Sequence, residues 1–265
     1  MDFNKLRLIE NEAERTSALY KIFDEDSRLN RSKAARVEFL TTVKFAQMYL
    51  KQGSKIIDIG AGAGEYSLYF AKQGYSVTSV ELADDNIAAF RKKMTHDVDI
   101  DLRQGNACDL SEFGDSSFDV VLLLGPLYHI SNAKERKKCI DEARRICKKD
   151  GIIFFAYISN DMVVLTESFL YDSGFWKNGC YNKETFDLEN FPFVFSDVED
   201  ARNELMRNGI SLLHEIGVDG VSELLAEKIN QLDDEDYNQY LKYHFYCCEK
   251  PEMLGRSSHL LFVGR

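Results

Sequence analysis

A glycine-rich loop near residue 60 is the most informative chemical feature of the chain. The apolar run Ile56–Ile59 leads into it, Asp58 stands just before the turn, and Gly60, Gly62 and Gly64 follow at alternate positions. Glycine lets a backbone turn tightly and approach a ligand closely, and a helix starting after the loop offers free N–H groups to an anionic group. This pattern predicts a nucleotide-type site. The G-x-G-x-G spacing and the leading acid disfavour a nicotinamide enzyme, whose loop is typically G-x-G-x-x-G, but leave that alternative open.

Polar residues at the ends of the next two apolar segments complete this candidate site. Glu81 ends the segment 76–80, and a carboxylate there can accept hydrogen bonds from both ribose hydroxyls of a nucleoside. Its alternative is an ordinary acid at the end of a strand. Asn106 and Ala107 follow the third segment. A side-chain acceptor and a backbone N–H are what the amino group and a ring nitrogen of adenine require.

The elements that position these residues alternate along the chain. Expected strands cover 56–59, 76–80, 98–102, 118–124, 152–158, 210–216 and 259–263, and expected helices cover 31–50, 66–72, 84–94, 133–148, 198–208, 221–230 and 235–248. Strands alternating with helices predict an α/β fold with a mostly parallel sheet and helices on both faces. We expect one domain over 1–265, with a helical N-terminal cap (1–50), a cofactor-binding core (51–158), an insert (159–208) and C-terminal strands and helices (209–265).

Together these motifs resemble the class I S-adenosylmethionine-dependent methyltransferase superfamily, over about 55–158 and the terminal strand pair. The resemblance implies a Rossmann-like seven-stranded sheet and S-adenosylmethionine as the cofactor. It assigns cofactor binding to Asp58, Gly60, Ala61, Gly62, Gly64, Glu81, Leu82, Asn106, Ala107 and Leu124. Asn106 stands where the family often has Asp, and its amide oxygen still accepts a hydrogen bond.

Segments outside the cofactor motifs resemble bacterial, small-molecule-type methyltransferases of unassigned substrate. They are Phe23–Leu29, Val37–Thr42, Leu122–His129 and Tyr240–Phe245. Nucleobase amino-methyltransferases use [ND]-P-P-[YF] after the fourth strand, whereas this chain has Gly125-Pro126-Leu127-Tyr128. The missing amide or carboxylate acceptor disfavours methylation of adenine or glutamine. We expect methyl transfer to an oxygen, nitrogen or sulfur atom of a small-molecule acceptor.

Three residues are candidates for the catalytic steps. Methyl transfer from a sulfonium is an in-line displacement, so a base helps only if the nucleophile is protonated. His129 lies just past the fourth strand, and it either acts as that base or orders the loop. Tyr128 orients the acceptor or packs. His244 shares a helical stripe with Tyr237 and Tyr240, which favours a core position over one facing the substrate.

Two further features have competing interpretations. Arg28 and Glu38 either bind substrate or the cofactor carboxylate, or form a surface ion pair. The aromatic-rich segment 159–197, between strands five and six, is either a lid that excludes water from the acceptor or a small extra core. We favour the lid.

Composition limits the partners of the chain. The formal net charge is −11 and no basic stripe is present, which disfavours nucleic-acid binding. The six cysteines include no C-x-x-C pair, so we expect free thiols and no metal. No apolar run reaches the ~20 residues that span a bilayer, and the start Met1–Arg7 is charged, unlike a secretory signal. We expect a cytoplasmic monomer or homodimer. Protein or RNA methylation, and non-catalytic cofactor binding, remain alternatives.

Overall fold

The computed structural model describes residues 3–23, 25–96 and 98–265. Met1 and Asp2 of the charged start, and Asp24 of the Phe23–Leu29 motif, lie outside the described residues. Within the described residues, no helix is both long and apolar enough to cross a membrane.

In the part of the chain that the structure describes, eight strands form one mixed sheet. They are β1 (Lys55–Ile59), β2 (Ser76–Glu81), β3 (Ile100–Gln104), β4 (Phe118–Leu123), β5 (Cys147–Ser159), β6 (Phe195–Ser196), β7 (Leu212–Gly217) and β8 (His259–Gly264). The order is β3-β2-β1-β4-β5-β8-β7, and β6 pairs with the end of β5. Strands β1 to β6 pair in parallel, whereas β8 is antiparallel to both β5 and β7. The seven-strand path confirms the predicted fold.

Twelve α-helices accompany the described strands. They are α1 (Phe3–Leu6), α2 (Glu12–Leu19), α3 (Lys33–Gln47), α4 (Glu65–Lys72), α5 (Asp84–Lys93), α6 (Ala133–Ile146), α7 (Asn160–Thr166), α8 (Phe175–Asn178), α9 (Val198–Arg207), α10 (Ala226–Asn230), α11 (Asp234–Cys247) and α12 (Pro251–Leu254). A 3₁₀ turn covers Pro126–Tyr128 after β4, and a π-helical turn at Glu167–Tyr171 continues α7.

Both faces of the central strands are buried, as in other parallel sheets. In β1, Ile56 belongs to one hydrophobic core, and its neighbour Ile57 belongs to the core on the opposite face. In β5, Phe154 and Phe155 divide between the two cores in the same way. This is why the strands read as continuous apolar runs in the sequence.

The first long helix is buried on more than one face. In α3, Phe39, Val43 and Ala46 are buried, and Thr41 and Phe45, which lie on a different face, are buried too. The reason is that α3 also contacts α10 and α11.

The insert between β5 and β7 is more regular than its composition indicates. It begins with α7 and its π-helical turn and ends with β6 and α9. Strand β6 is an eighth strand that the sequence pattern did not predict. It has only two residues, which is too short for an alternation of apolar and polar side chains to be recognised. Helix α6 ends at Ile146, two residues before the end expected from the sequence. Strand β5 begins directly after it, at Cys147.

Candidate functional site

The glycine-rich loop lies at the carboxyl ends of the parallel strands. The backbone N–H groups of Gly60 and Ala61 both donate to the Val80 carbonyl, at 2.8 and 3.1 Å. Asp58 is 1% exposed, and its Oδ2 accepts a 2.6 Å hydrogen bond from the Ser67 hydroxyl. Burial raises the pKa of Asp58 to about 7, although the bond from Ser67 opposes this shift. A cation placed beside this carboxyl group would favour its ionised form and lower its pKa.

Gly60 and Gly64 in this loop combine backbone strain with a steric barrier to substitution. Gly60 and Gly64 have φ values of +72° and +85°, in the left-handed region. A Cβ on Gly60 would lie 2.7 Å from Cδ of Pro126, and one on Gly64 would lie 2.4 Å from the ring of Phe90. The loop therefore packs closely between the turn after β4 and helix α5.

Glu81 closes the loop from the neighbouring strand. Its Oε2 accepts from the Gly62 N–H at 2.7 Å, and its Oε1 accepts from the Ala83 N–H at 2.8 Å and the Asn86 amide at 3.3 Å. Burial raises the pKa of Glu81, and these hydrogen bonds from Ala83, Gly62 and Asn86 oppose the rise. The carboxylate thus fixes the loop while lying at the wall of a cavity.

The turn after β3 offers one acceptor and one free donor. Oδ1 of Asn106 accepts from the Cys108 N–H at 2.9 Å, and the Gly105 N–H donates to the Glu81 carbonyl at 3.0 Å. No hydrogen bond within the described residues uses the N–H of Ala107. A ring nitrogen placed here would find an unpaired backbone donor.

These elements enclose a first cavity of about 610 Å³, within the usual range for small-molecule sites. Every predicted cofactor-binding residue except Gly64 lines it: Asp58, Gly60, Ala61, Gly62, Glu81, Leu82, Asn106, Ala107 and Leu124. Tyr128 and His129 line it as well. Gly64 lies just beyond the lining and caps helix α4. The 10–13 and 15–16 segments of the N-terminal region close the cavity from outside, a contribution that the sequence pattern did not predict.

A hydrogen-bonded pair of rings lies at the edge of the first cavity. The Tyr20 hydroxyl is 2.7 Å from Nε2 of His129, whereas Nδ1 of His129 is buried without a partner. Burial lowers the pKa of His129 to about 3 and raises the pKa values of Tyr20 and Tyr128. All three groups are therefore neutral at pH 7.

A second cavity of about 1170 Å³ adjoins the first. Four residues line both cavities: Tyr20, Glu25, Arg28 and Tyr128. The far wall of the second cavity comes mainly from the insert. Its apolar lining consists of Ile158 from β5 together with Val163, Leu170, Phe175, Leu188, Phe191, Phe193 and Phe195 from the insert. A molecule in the second cavity would meet one in the first at these shared residues.

Arg28 is fixed at the junction by two carboxylates. Its guanidinium donates to Glu25 at 2.8 and 3.1 Å and to Glu38 at 2.7 and 3.2 Å. Burial opposes the charge of Arg28, but Glu38 and Glu25 outweigh it and raise the pKa of the guanidinium. Arg28 and Glu38 are thus neither a simple surface pair nor free to move, since their side chains are only 19% and 14% exposed.

His244 lies in the protein interior and lines neither cavity. Its Nε2 is 3.0 Å from the Thr41 hydroxyl and 3.2 Å from the Val218 carbonyl, and burial lowers its pKa. The structure therefore gives His244 a packing role between α3 and α11, in place of the substrate-facing role considered from the sequence.

The site also contains residues that sequence patterns missed. Tyr20 follows helix α2 and lines both cavities. Asp219 follows β7, His259 starts β8, and both line the second cavity only. No local motif marks them, because they come together only through the sheet order and the packing of the N-terminal helices.

Comparison with known proteins agrees with this geometry. Residues 57–155 match the family described as "Methyltransferase domain". The ubiquinone biosynthesis O-methyltransferase of Pseudomonas aeruginosa is 31% identical over 110 residues, which are 41% of this chain and 46% of that protein. The chain thus spans about half the length of the curated relatives it matches.

Solved structures share the fold over most of the chain. A protein from Pyrococcus horikoshii OT3 aligns with a TM-score of 0.60 and 16% identity, covering 94% of this chain and 98% of that one. A SAM-dependent methyltransferase from Methanosarcina mazei aligns with a TM-score of 0.54 and 19% identity, covering 83% and 95%. At these identities the likeness concerns the fold.

The matched segment, the sheet order and the loop geometry define the class. Residues 57–155 form a methyltransferase domain within the fold of a solved SAM-dependent methyltransferase, and S-adenosylmethionine is the cofactor of such domains. The residues of the first cavity fit S-adenosylmethionine: the glycine loop lines the cavity, Ala107 has an unpaired N–H, and the Glu81 carboxylate lies at the wall. The nicotinamide alternative is therefore rejected.

Proposed function

We propose that the chain transfers the methyl group of S-adenosylmethionine to a small molecule held in the second cavity. The observation that carries this proposal is the junction of the two cavities at Tyr20, Glu25, Arg28 and Tyr128. The cofactor supplies a methyl group activated by its sulfonium. The protein then has to align the acceptor with that group and exclude water.

The cofactor would be held by the residues that the family resemblance assigns. Glu81 would accept the ribose hydroxyls, Asn106 and Ala107 would face adenine, and the Leu124 carbonyl and the Asp58 carboxylate would lie near the ammonium. Their positions around the first cavity support these roles.

The second cavity favours an apolar acceptor without phosphate groups. Its insert side is aromatic and aliphatic, and acids outnumber bases in the lining. The acids are Glu25, Glu38, Glu167, Asp172, Glu189, Asp219, Glu223 and Glu227, against Arg28, Arg31 and His259. This balance, with a net charge of −11 for the chain, disfavours RNA. The O-methyltransferase name of the Pseudomonas aeruginosa relative supports an oxygen acceptor.

Residues at the junction would set the geometry of transfer. Arg28 is held by Glu25 and Glu38, so it forms a rigid wall between the two ligands. Tyr128 is buried beside it and lines both cavities, where its hydroxyl would orient the acceptor.

The first experiment separates cofactor binding from catalysis. Calorimetry with S-adenosylhomocysteine should show binding to the full chain, and Glu81→Ala should weaken it by about 1–3 kcal/mol through lost charge-assisted hydrogen bonds. Glu199→Ala removes an exposed acid of α9 outside both cavities and serves as the matched control. An unchanged dissociation constant for Glu81→Ala would contradict the assigned site.

The second experiment identifies the acceptor class. Cofactor labelled in its methyl group is incubated with panels of phenols, amines and thiols, and separately with peptides and RNA. Label on small molecules is the expected result. Label only on peptides or RNA, or tight cofactor binding with no transfer to any panel, would overturn the proposal in favour of a macromolecular or a non-catalytic role.

A further inference from the structure

A charged cluster on the wall of the second cavity lies outside the cofactor site. His259 opens β8 beside the end of β5, Asp219 follows β7, and Glu38 belongs to α3. Nδ1 of His259 is 2.8 Å from Oδ2 of Asp219 and 3.6 Å from Oε2 of Glu38. All three residues line the second cavity, and none lines the first.

Asp219 is built to hold the imidazole of His259 in one orientation. Its Oδ1 accepts from the Ser257 hydroxyl and, at 3.1 Å, from the backbone N–H of His259. Burial raises the pKa of Asp219, but His259 and Ser257 outweigh it, and the net pKa is lowered. An ionised Asp219 therefore fixes the proton of His259 on Nδ1 and leaves Nε2 as the variable position.

Nε2 of His259 is accessible from the second cavity. No hydrogen bond from the described residues reaches this nitrogen. Among the described side chains, the one nitrogen or oxygen atom that is both buried and without a partner is Nδ1 of His129. Nε2 of His259, which also has no partner, is therefore exposed. The His259 side chain is 23% exposed and lines this cavity. Its free nitrogen can therefore meet a bound acceptor.

We propose that His259 is the general base of the methyl transfer, that Asp219 is its positioning residue, and that the acceptor group is an acidic hydroxyl of phenol or enol type. This inference rests on the function proposed above and names the acceptor atom.

The proposed step moves one proton and one methyl group. The acceptor oxygen forms its bond to the methyl carbon as the carbon–sulfur bond breaks, and the electron pair of that bond stays on sulfur. The hydroxyl proton passes to Nε2 of His259, and the imidazolium is stabilised by Asp219 and Glu38. Bulk water takes the proton from His259 after the products leave.

The charges around His259 suit a weakly acidic hydroxyl. Burial disfavours the charged imidazole, but Glu38 and Asp219 outweigh it and raise the pKa to about 9, while Arg28 opposes them. A phenol has an ordinary pKa of about 10, so donor and base are closely matched. An ammonium acceptor would instead meet a like charge at neutral pH, which is why an oxygen acceptor is favoured here.

A metal ion at this cluster would have to compete with Arg28 and with the proton on His259, which already interact with the two carboxylates. Glu38, Asp219 and His259 have potential ligand atoms within 4.8 Å of one another. However, Arg28 binds Glu38 with both of its terminal nitrogens, and the Nδ1–H group of His259 donates to Asp219. The cluster is therefore better suited to proton transfer than to metal binding.

The test compares His259→Gln with the unmodified chain on phenol and on a more acidic nitrophenol. For phenol, we expect kcat to fall by about 10²–10⁴-fold when both proteins are compared at about pH 9, where much of His259 is neutral and can accept the proton. For nitrophenol, which is ionised without a base, the loss should stay within about tenfold. His96→Gln removes an exposed imidazole outside both cavities and should change neither rate. Equal losses for both phenols, or no loss, would overturn the inference.

Two further measurements keep the outcome clear if His259→Gln folds poorly. In the unmodified chain, kcat/KM for phenol should rise with pH up to about 9, whereas the nitrophenol rate should already be maximal near neutral pH. Asp219→Asn should lower the pH of that rise while leaving S-adenosylhomocysteine binding unchanged. Superimposable profiles for the two phenols, or activity abolished by EDTA, would contradict the role of His259.

The two proposals fail in different ways. Transfer by the unmodified chain to amines or thiols but to no phenol would overturn the assignment of His259 and leave the proposed function standing. Cofactor binding without transfer to any small molecule would instead remove the proposed function itself.

Discussion

The hydroxyl of Tyr20 lies 2.7 Å from Nε2 of His129, and the other ring nitrogen of His129 is buried with no partner. This contact joins the end of the N-terminal helices to the loop after β4, at the edge of the first cavity. A histidine whose pKa is about 3 is a weak base. The contact therefore favours the loop-ordering interpretation of His129 over the catalytic one.

The first prediction is a pH-dependent stability that originates at His129. Its pKa is lowered from 6.5 to about 3 by burial, so the unfolded chain binds a proton here that the folded chain does not. Stability is therefore lost as pH falls below 6.5. Between pH 7 and 5, unfolding by urea should show a loss of about 2 kcal/mol relative to His129→Gln. His96→Gln, at an exposed position, is the control. Parallel pH profiles for the unmodified chain and His129→Gln would show that the imidazole is solvated.

The second prediction concerns the close packing of the glycine loop. Gly64 and Gly74 share a φ of +85°, but a Cβ would lie 2.4 Å from Phe90 at Gly64 and meets nothing within 4 Å at Gly74. Both substitutions by alanine carry the backbone strain of about 1–2 kcal/mol. Gly64→Ala adds overpacking of about 1–3 kcal/mol against a buried ring. Denaturation should therefore separate the two variants by that amount, and equal losses would mean that the loop relaxes freely.

Much of the cofactor site was predictable because its signals are local. The loop at Asp58–Gly64, Glu81 and Asn106 each end or follow a strand, and parallel strands bring their carboxyl ends to one edge. The structure places these residues around one cavity, and their cofactor-binding roles stay predictions. Periodicity also placed the seven strands of the main path.

The acceptor side was not predictable from the same signals. His259 and Asp219 are separated by 40 residues and meet across β7 and β8, while Glu38 arrives from α3. For His244, the sequence favoured a core position but left a substrate contact open. A helical stripe shows that one face is buried, but not which part of the protein covers it.

The third prediction concerns the cost of burying the ionised carboxylate of Asp58. The pKa is raised from 3.8 to about 7, chiefly by burial, so the folded chain binds a proton that the unfolded chain has lost. Stability therefore falls as pH rises from about 4 to 7, by on the order of 3–4 kcal/mol. Asp58→Asn keeps an oxygen for Ser67 and should remove this slope.

The same substitution should weaken cofactor binding. At pH 8, Asp58→Asn should unfold at higher urea concentration than the unmodified chain, yet bind S-adenosylhomocysteine less tightly, because a carboxylate near the ammonium is lost. Asp150→Asn, at an exposed position, is the matched control. A variant that is less stable at pH 8 would show that the Asp58 carboxylate is well solvated.

The fourth prediction tests whether the insert acts as a lid. Trp176 is the one tryptophan of the chain and is 46% exposed, and it packs edge-on against Phe175, which lines the second cavity. If the insert closes over a bound acceptor, Trp176 should become shielded from solvent. Quenching of its fluorescence by acrylamide should then fall about twofold on acceptor binding, because roughly half of Trp176 is exposed to solvent before closure. S-adenosylhomocysteine alone should have little effect, because Trp176 does not line the first cavity.

A matched reporter separates local closure from a general change in the protein. Tyr246 is 71% exposed on α11 and lines neither cavity, so the double variant Trp176→Phe, Tyr246→Trp carries its only tryptophan outside the insert and both cavities. Its quenching should be insensitive to the acceptor. Unchanged quenching of Trp176 under conditions where calorimetry shows the acceptor bound would favour the alternative, in which the aromatic residues of the insert form a fixed extra core and the second cavity keeps its shape throughout the reaction.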